Sequence, residues 1–141
     1  MSYINLSLRL YGELPDSLNL NNFIGISATT FHKRGDVLNK KTQRIQPIDM
    51  WILDLTPGIN SNSTEDEVAN QLSQAEMLLQ HICQKISTLN REKISSDLFI
   101  SYTADRSHGG FMLPYGIINA ADIAKLEIDF SILTMPSYKN L

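Results

Sequence analysis

Val68, Leu72, Ala75, Leu79, Ile82, Ile86 and Leu89 are spaced by four and three residues in near alternation. That spacing places all of them on one stripe of an α-helix of about 25 residues. Thr64 lies just ahead of the stripe with Glu67 three residues on, the capping-box arrangement that starts a helix. Glu65 and Asp66 add negative charge where the helix dipole favours it. A stripe of this length must be buried against something. Three heptads would suit a coiled coil, but strand-like segments flank the helix, so it is expected to lie across a sheet.

Those flanking segments are legible. Ile4, Leu6, Leu8 and Leu10 alternate with Asn5, Ser7 and Arg9, the period of a half-buried strand. Pro15-Asp16 starts a short helix that Gly25 stops. ISATTFH (26–32) reads as a short strand. Ile48 to Leu55 (IDMWILDL) carries apolar residues on both faces, as a central strand does. Leu98, Ile100 and Tyr102 alternate in another strand, followed by the loop ADRSHGG and a short strand, FML. Pro114 to Lys125 forms a helix burying Ile117, Ala121 and Ala124. LEIDFSILTM closes the chain with Leu126, Ile128, Phe130 and Ile132 on one face, and PSYKNL (136–141) forms a loose tail.

The expected fold is therefore α+β: a single domain over residues 1–141, with one mostly antiparallel sheet and helices packed on one face. From residue 48 onward the order is βαββαβ, the ferredoxin-like order, with an N-terminal strand and short helix added to the same sheet.

Composition narrows the function classes. A formal charge of −3 and a pI of about 5.5 argue against a protein that coats phosphates, so nucleic acid is not expected as a partner. The lone cysteine, Cys83, excludes an intrachain disulfide and fits a buried thiol on the long helix. No apolar run reaches the roughly 18 to 20 residues of a membrane span, and MSYINLSLRLYG lacks the regions of a signal peptide. A cytoplasmic protein is expected. No phosphate-binding glycine loop, nucleophile elbow or zinc-binding motif occurs, and His32, His81 and His108 share no metal-ligand spacing. No catalytic residue, metal or cofactor is expected. Glu127 and Asp129 lie two apart on the polar side of the last strand, where a solvated or ion-paired role is expected.

FHKRGDVLNKKTQR (31–44) is the chemical exception. It holds five of the 12 basic residues and one acid, leaving seven basic and fourteen acidic residues elsewhere, or +4 against −7. Such asymmetry can steer an acidic partner, although a solvated loop between strands is the more ordinary explanation. The Arg34-Gly35-Asp36 sequence is not expected to act as an adhesion signal. The 104–110 loop gathers Asp105, Arg106, Ser107 and His108, a polar set able to line a pocket, although its glycines also fit a simple turn.

SLRLYG, FIGISATTFHKRGD, MWILDL, the long helix and LFISY…GGFMLP, in that order and spacing, resemble a bacterial family catalogued as a domain of unknown function, number 4279. Ser27-Ala28-Thr29 departs from the Pro-Thr step common at that position in the family. The resemblance implies a compact α+β fold and carries over no catalytic residue. It also implies that Gly35, Asp36 and Trp51 belong to a shared structural or binding feature. The candidate binding residues are Lys33, Arg34, Asp36, Trp51, Arg106 and His108. The expected function is a non-enzymatic bacterial protein-interaction domain, an antidote to a toxin being one version. The alternative is a small-ligand binder or enzyme with its site between the 31–36 and 104–110 loops.

Overall fold

The computed structural model describes residues 2–104 and 110–134. Within them the chain forms β1 (Tyr3–Gly12), α1 (Ser17–Ile24), β2 (Thr30–His32), β3 (Val37–Asn39), β4 (Arg44–Ile45), β5 (Asp49–Asp54), α2 (Glu65–Ser87), β6 (Ile94–Ala104), α3 (Tyr115–Ala124) and β7 (Glu127–Thr134). Five strands make one sheet in the order β2-β5-β1-β6-β7, and β3 and β4 form a separate two-stranded ribbon. All neighbours in the large sheet are antiparallel except β6 and β7, which run parallel. The architecture is α+β with a mixed sheet.

The alternation in β1 decides which face is the core. Ile4, Leu6, Leu8 and Leu10 are buried, and their partners Leu98, Ile100 and Trp51 lie on the same side. Leu20 and Ile24 of α1, Leu72, Leu79, Ile82 and Ile86 of α2, and Ile117, Ala120, Ala121 and Ala124 of α3 complete one cluster with them. Helices thus cover one face of the sheet. The long helix lies across it as its stripe requires, and Cys83 is buried there, its Sγ donating to the Gln80 carbonyl at 3.3 Å.

The helix ends follow the signals read from sequence. Asp16 Oδ1 accepts from the Asn19 amide at 2.9 Å and Thr64 Oγ1 accepts from the Glu67 amide at 3.1 Å. Gly25 closes α1 at φ +92°, donating to the Asn21 carbonyl. α3 begins at Pro114 with no side-chain cap of its own, and Glu76 of α2 supplies one across the helix pair, accepting from the Gly116 amide at 3.0 Å. Arg91 ties two helix ends together, donating to the carbonyls of Ile86 and Ala124 and to Ser96 Oγ. Desolvation in this position draws its pKa below the usual value.

Three expectations are corrected. FML (111–113) is not a strand, so residues 48 onward run strand, helix, strand, helix, strand, and the βαββαβ order expected there does not form. The reason lies in β6: its two edges are taken by β1 and β7, leaving no edge for a returning hairpin. Two interleaved strand–helix–strand units instead occupy residues 3–104, where β5 lies between β1 and β2 and β1 lies between β5 and β6. The strand expected over 26–32 contracts to Thr30–His32, and the basic stretch after it is a ribbon rather than a plain loop. β7, whose apolar side was expected to face the core, is exposed at all eight residues. The tail from 136 lies outside the described residues.

Candidate functional site

β1 ends at Gly12, opposite Asp49 and Ile94, which begin β5 and β6. At this end of the sheet β2 delivers the basic stretch, because His32 pairs with Met50. Here a cleft of about 820 Å³ opens, a size within the range of small-molecule sites. Glu13, Lys33, Arg34, Asp49, Glu92 and Lys93 line it, three cations and three carboxylates, with Leu14, Ile48 and Ile94 as its apolar part.

The KRGD turn is built from its own residues. The Asp36 carboxylate accepts from the Lys33 amide at 2.8 Å, and the Asp36 amide donates to the Lys33 carbonyl at 3.0 Å. Gly35 sits at φ +94°, where a side chain would be strained, and donates to the Gln46 carbonyl. Asp49 secures the turn to the sheet: its Oδ1 accepts from the Arg34 amide at 2.8 Å and its Oδ2 from the Leu14 amide at 3.1 Å. One carboxylate therefore joins the two segments that wall the cleft. The Lys33 and Arg34 side chains are left at its rim, with no ion pair among the described residues.

Beyond the turn, Val37 pairs with Ile45 and Asn39 with Arg44, across a bulge. The Asn39 side chain accepts from the Lys41 and Thr42 amides, and Gln43 adopts φ +57° to close the tip. Lys40, Lys41 and Arg44 are exposed there beside exposed Val37, Leu38 and Ile45.

Of the six candidate binding residues, the fold brings Lys33 and Arg34 to the cleft and places Asp36 beside them in a structural role. Trp51 is fully buried, its indole Nε1 donating to Asn21 Oδ1 at 2.7 Å, so it acts in the core and not at a surface. Arg106 and His108 lie outside the described residues. Their flanks, Ala104 and Gly110, are at the opposite end of the sheet from Lys33. Thr103 pairs with Tyr3, and the Tyr102 hydroxyl donates to the Gly110 carbonyl at 3.4 Å. β6 runs antiparallel to β1, so its C-terminal end cannot meet the end of β2. The arrangement gives no support to one site shared by the 31–36 and 104–110 loops.

The sheet face without helices holds a second charged group that the sequence reading missed. Arg9 donates to both oxygens of Asp97, at 2.8 and 2.6 Å, and lies 3.5 Å from Asp129 Oδ2. Its guanidinium stands 4.2 Å from the Phe99 ring centroid. Asp97 is 1% exposed, so Arg9 is the counter-charge that its burial requires. The neighbouring Asp97 carboxylate, the largest influence on Asp129, raises its pKa above the ordinary value, against the pull of Arg9. These three residues come from strands up to 120 positions apart, and no local motif could announce them. Only the ion-paired role expected for Asp129 pointed toward the group. Among the described residues, no group of three or more metal-ligating side chains converges.

Residues 2–135 match the family described as Domain of unknown function (DUF4279), and the chain belongs to that family. The match assigns no activity. No curated protein and no solved structure matches the chain. Among the described residues, no helix is long and apolar enough to cross a membrane.

Proposed function

We propose that this chain is a non-enzymatic binding domain that engages a protein partner at the Gly12 end of its sheet. The ribbon carries the argument. It presents Lys40, Lys41 and Arg44 together with exposed Val37, Leu38 and Ile45, and none of these cations has an ion pair among the described residues. A solvated connection would keep the charges without the apolar residues, whereas a contact surface combines the two. The chain outside 31–44 is net acidic, so the ribbon is also the place where an acidic partner would be drawn in and oriented.

The cleft beside the ribbon favours a second reading, in which a small polar molecule of mixed charge sits between Lys33, Arg34 and the facing carboxylates. One set of variants separates the two. Replacing Lys40, Lys41 and Arg44 together with Glu is expected to abolish recovery of a partner that the wild-type chain captures from its native lysate, with unchanged far-UV circular dichroism. Capture by the wild type should also weaken as salt rises. Equal recovery by the triple variant would remove the ribbon from the interface. Arg34→Ala, by contrast, is expected to matter more for a small ligand in the cleft.

A further inference from the structure

β7 is an edge strand of eight residues, and every one of them is exposed. Ile128, Phe130 and Ile132 are the register partners of Leu98, Ile100 and Tyr102, so they lie on the helix-bearing side of the sheet. The helices nevertheless leave them open, Phe130 at 59% and Ile132 at 70%. Phe111 packs its ring 5.1 Å from that of Tyr102, the register partner of Ile132. Among the described residues nothing pairs with the outer edge of β7.

Edge strands are normally guarded by shortness, Lys, Pro or a bulge. β2, the other edge, is guarded by having three residues. β7 is neither short nor bulged: its register with β6 is unbroken over eight pairs, EIDFSILT contains neither Lys nor Pro, and its charges, Glu127 and Asp129, are confined to its first half. Its backbone extends about 26 Å at about 3.3 Å per residue.

We infer that this edge is the two-fold interface of a homodimer, in which β7 pairs antiparallel with β7 of a second copy and the two five-stranded sheets become continuous. A two-fold interface must be self-complementary, and the strand meets that condition. Its acids, Glu127 and Asp129, lie in the first half, and Ser131 to Thr134 carry no charge. With Phe130 opposite Phe130, Ile128 meets Ile132, Asp129 faces Ser131 and Glu127 faces Leu133. With Ser131 opposite itself, Phe130 meets Ile132 and Asp129 faces Leu133. Either register keeps the apolar row whole and sets no acid against an acid. A parallel pairing would align Glu127 with Glu127 and Asp129 with Asp129, which is repulsive. The second copy covers the exposed Ile-Phe-Ile row with an identical row that itself needs cover. This interface stands apart from the Gly12-end ribbon and does not depend on it.

Sedimentation equilibrium of the purified full chain over a concentration series tests the inference. The expected mass is that of a dimer, and Ile132→Lys is expected to weaken association by about tenfold or more with an unchanged circular dichroism spectrum. A second measurement does not depend on disrupting anything. Under mild oxidation, either Phe130→Cys or Ser131→Cys should cross-link to itself, because directly opposed residues of an antiparallel pair stand at disulfide distance. Ser7→Cys, in the middle of β1, should not. A monomer at every concentration would overturn the inference, even if the edge captured foreign peptides. So would a dimer that is indifferent to Ile132→Lys and cross-links at neither position.

Discussion

Gly12 shows how one residue without a side chain shapes the end of the sheet. It stands at φ +124°, and a Cβ there would collide with the backbone carbonyl of Lys93. The close approach lets β1 turn against the start of β6, and the next amide, of Glu13, donates to that same Lys93 carbonyl at 3.1 Å. Gly12→Ala combines backbone strain with a clash against an atom that cannot rotate away. The expected loss is about 2–4 kcal/mol, read from the urea midpoint. Asp129 gives a residue-scale prediction of a different kind. Its folded pKa lies above the unfolded value, so the native state takes up the proton more readily and gains stability as pH falls through the raised value. Asp129→Asn is neutral at every pH and lacks that dependence. Urea midpoints should therefore place wild type at its least favourable, relative to the Asn variant, at neutral pH. The wild type should gain on the variant as pH falls through the raised value, before acid unfolding. A difference that is flat with pH would show that Asp97 does not act on Asp129.

At the scale of elements, α1 is fastened to β5 by one side chain. Asn21 Oδ1 accepts from the Trp51 indole at 2.7 Å and from the Ala28 amide at 3.1 Å. Asn21→Ala leaves the buried indole N–H of Trp51 unpaired, an expected cost of about 1–3 kcal/mol. Trp51 is the single tryptophan, so its fluorescence reports this contact directly and an altered emission should accompany the loss of stability. The same contact explains why α1 forms despite three asparagines that compete for backbone hydrogen bonds. Asn21 is turned from competitor into a tertiary acceptor, and Asn19 is drawn into the Asp16 cap. The helices were legible because caps and the apolar stripe are local signals, and the central place of β5 was legible from its two-sided apolar pattern. The FML segment was misread because a short apolar run after a loop looks the same whether or not a free strand edge awaits it.

The whole molecule divides its chemistry between places that the chain order does not suggest. Lys33 and Arg34 meet Glu13, Asp49 and Lys93 at one end, while the flanks of the 105–109 segment lie at the other. The edge strand β7, with its exposed apolar row, runs between them. The cleft at the Gly12 end requires three turns to converge, and Asp49, the residue that joins two of them, looks in sequence like an ordinary strand-start aspartate. By itself the sequence determined the helix with its stripe and cap, the buried side of β1, the helix stop at Gly25 and the excess of basic charge over 31–44. Each of these depends on neighbours a few residues away, where periodicity and backbone sterics act. Only the tertiary structure decided which strand lies beside which, and with it the rest. It set Arg9 against Asp97 and Asp129, sent the 31–36 turn and the flanks of the 105–109 segment to opposite ends, and left the outer edge of β7 unpaired among the described residues. Strand order is fixed by burial and hydrogen bonding summed over the whole sheet, and no local stretch of residues carries that sum.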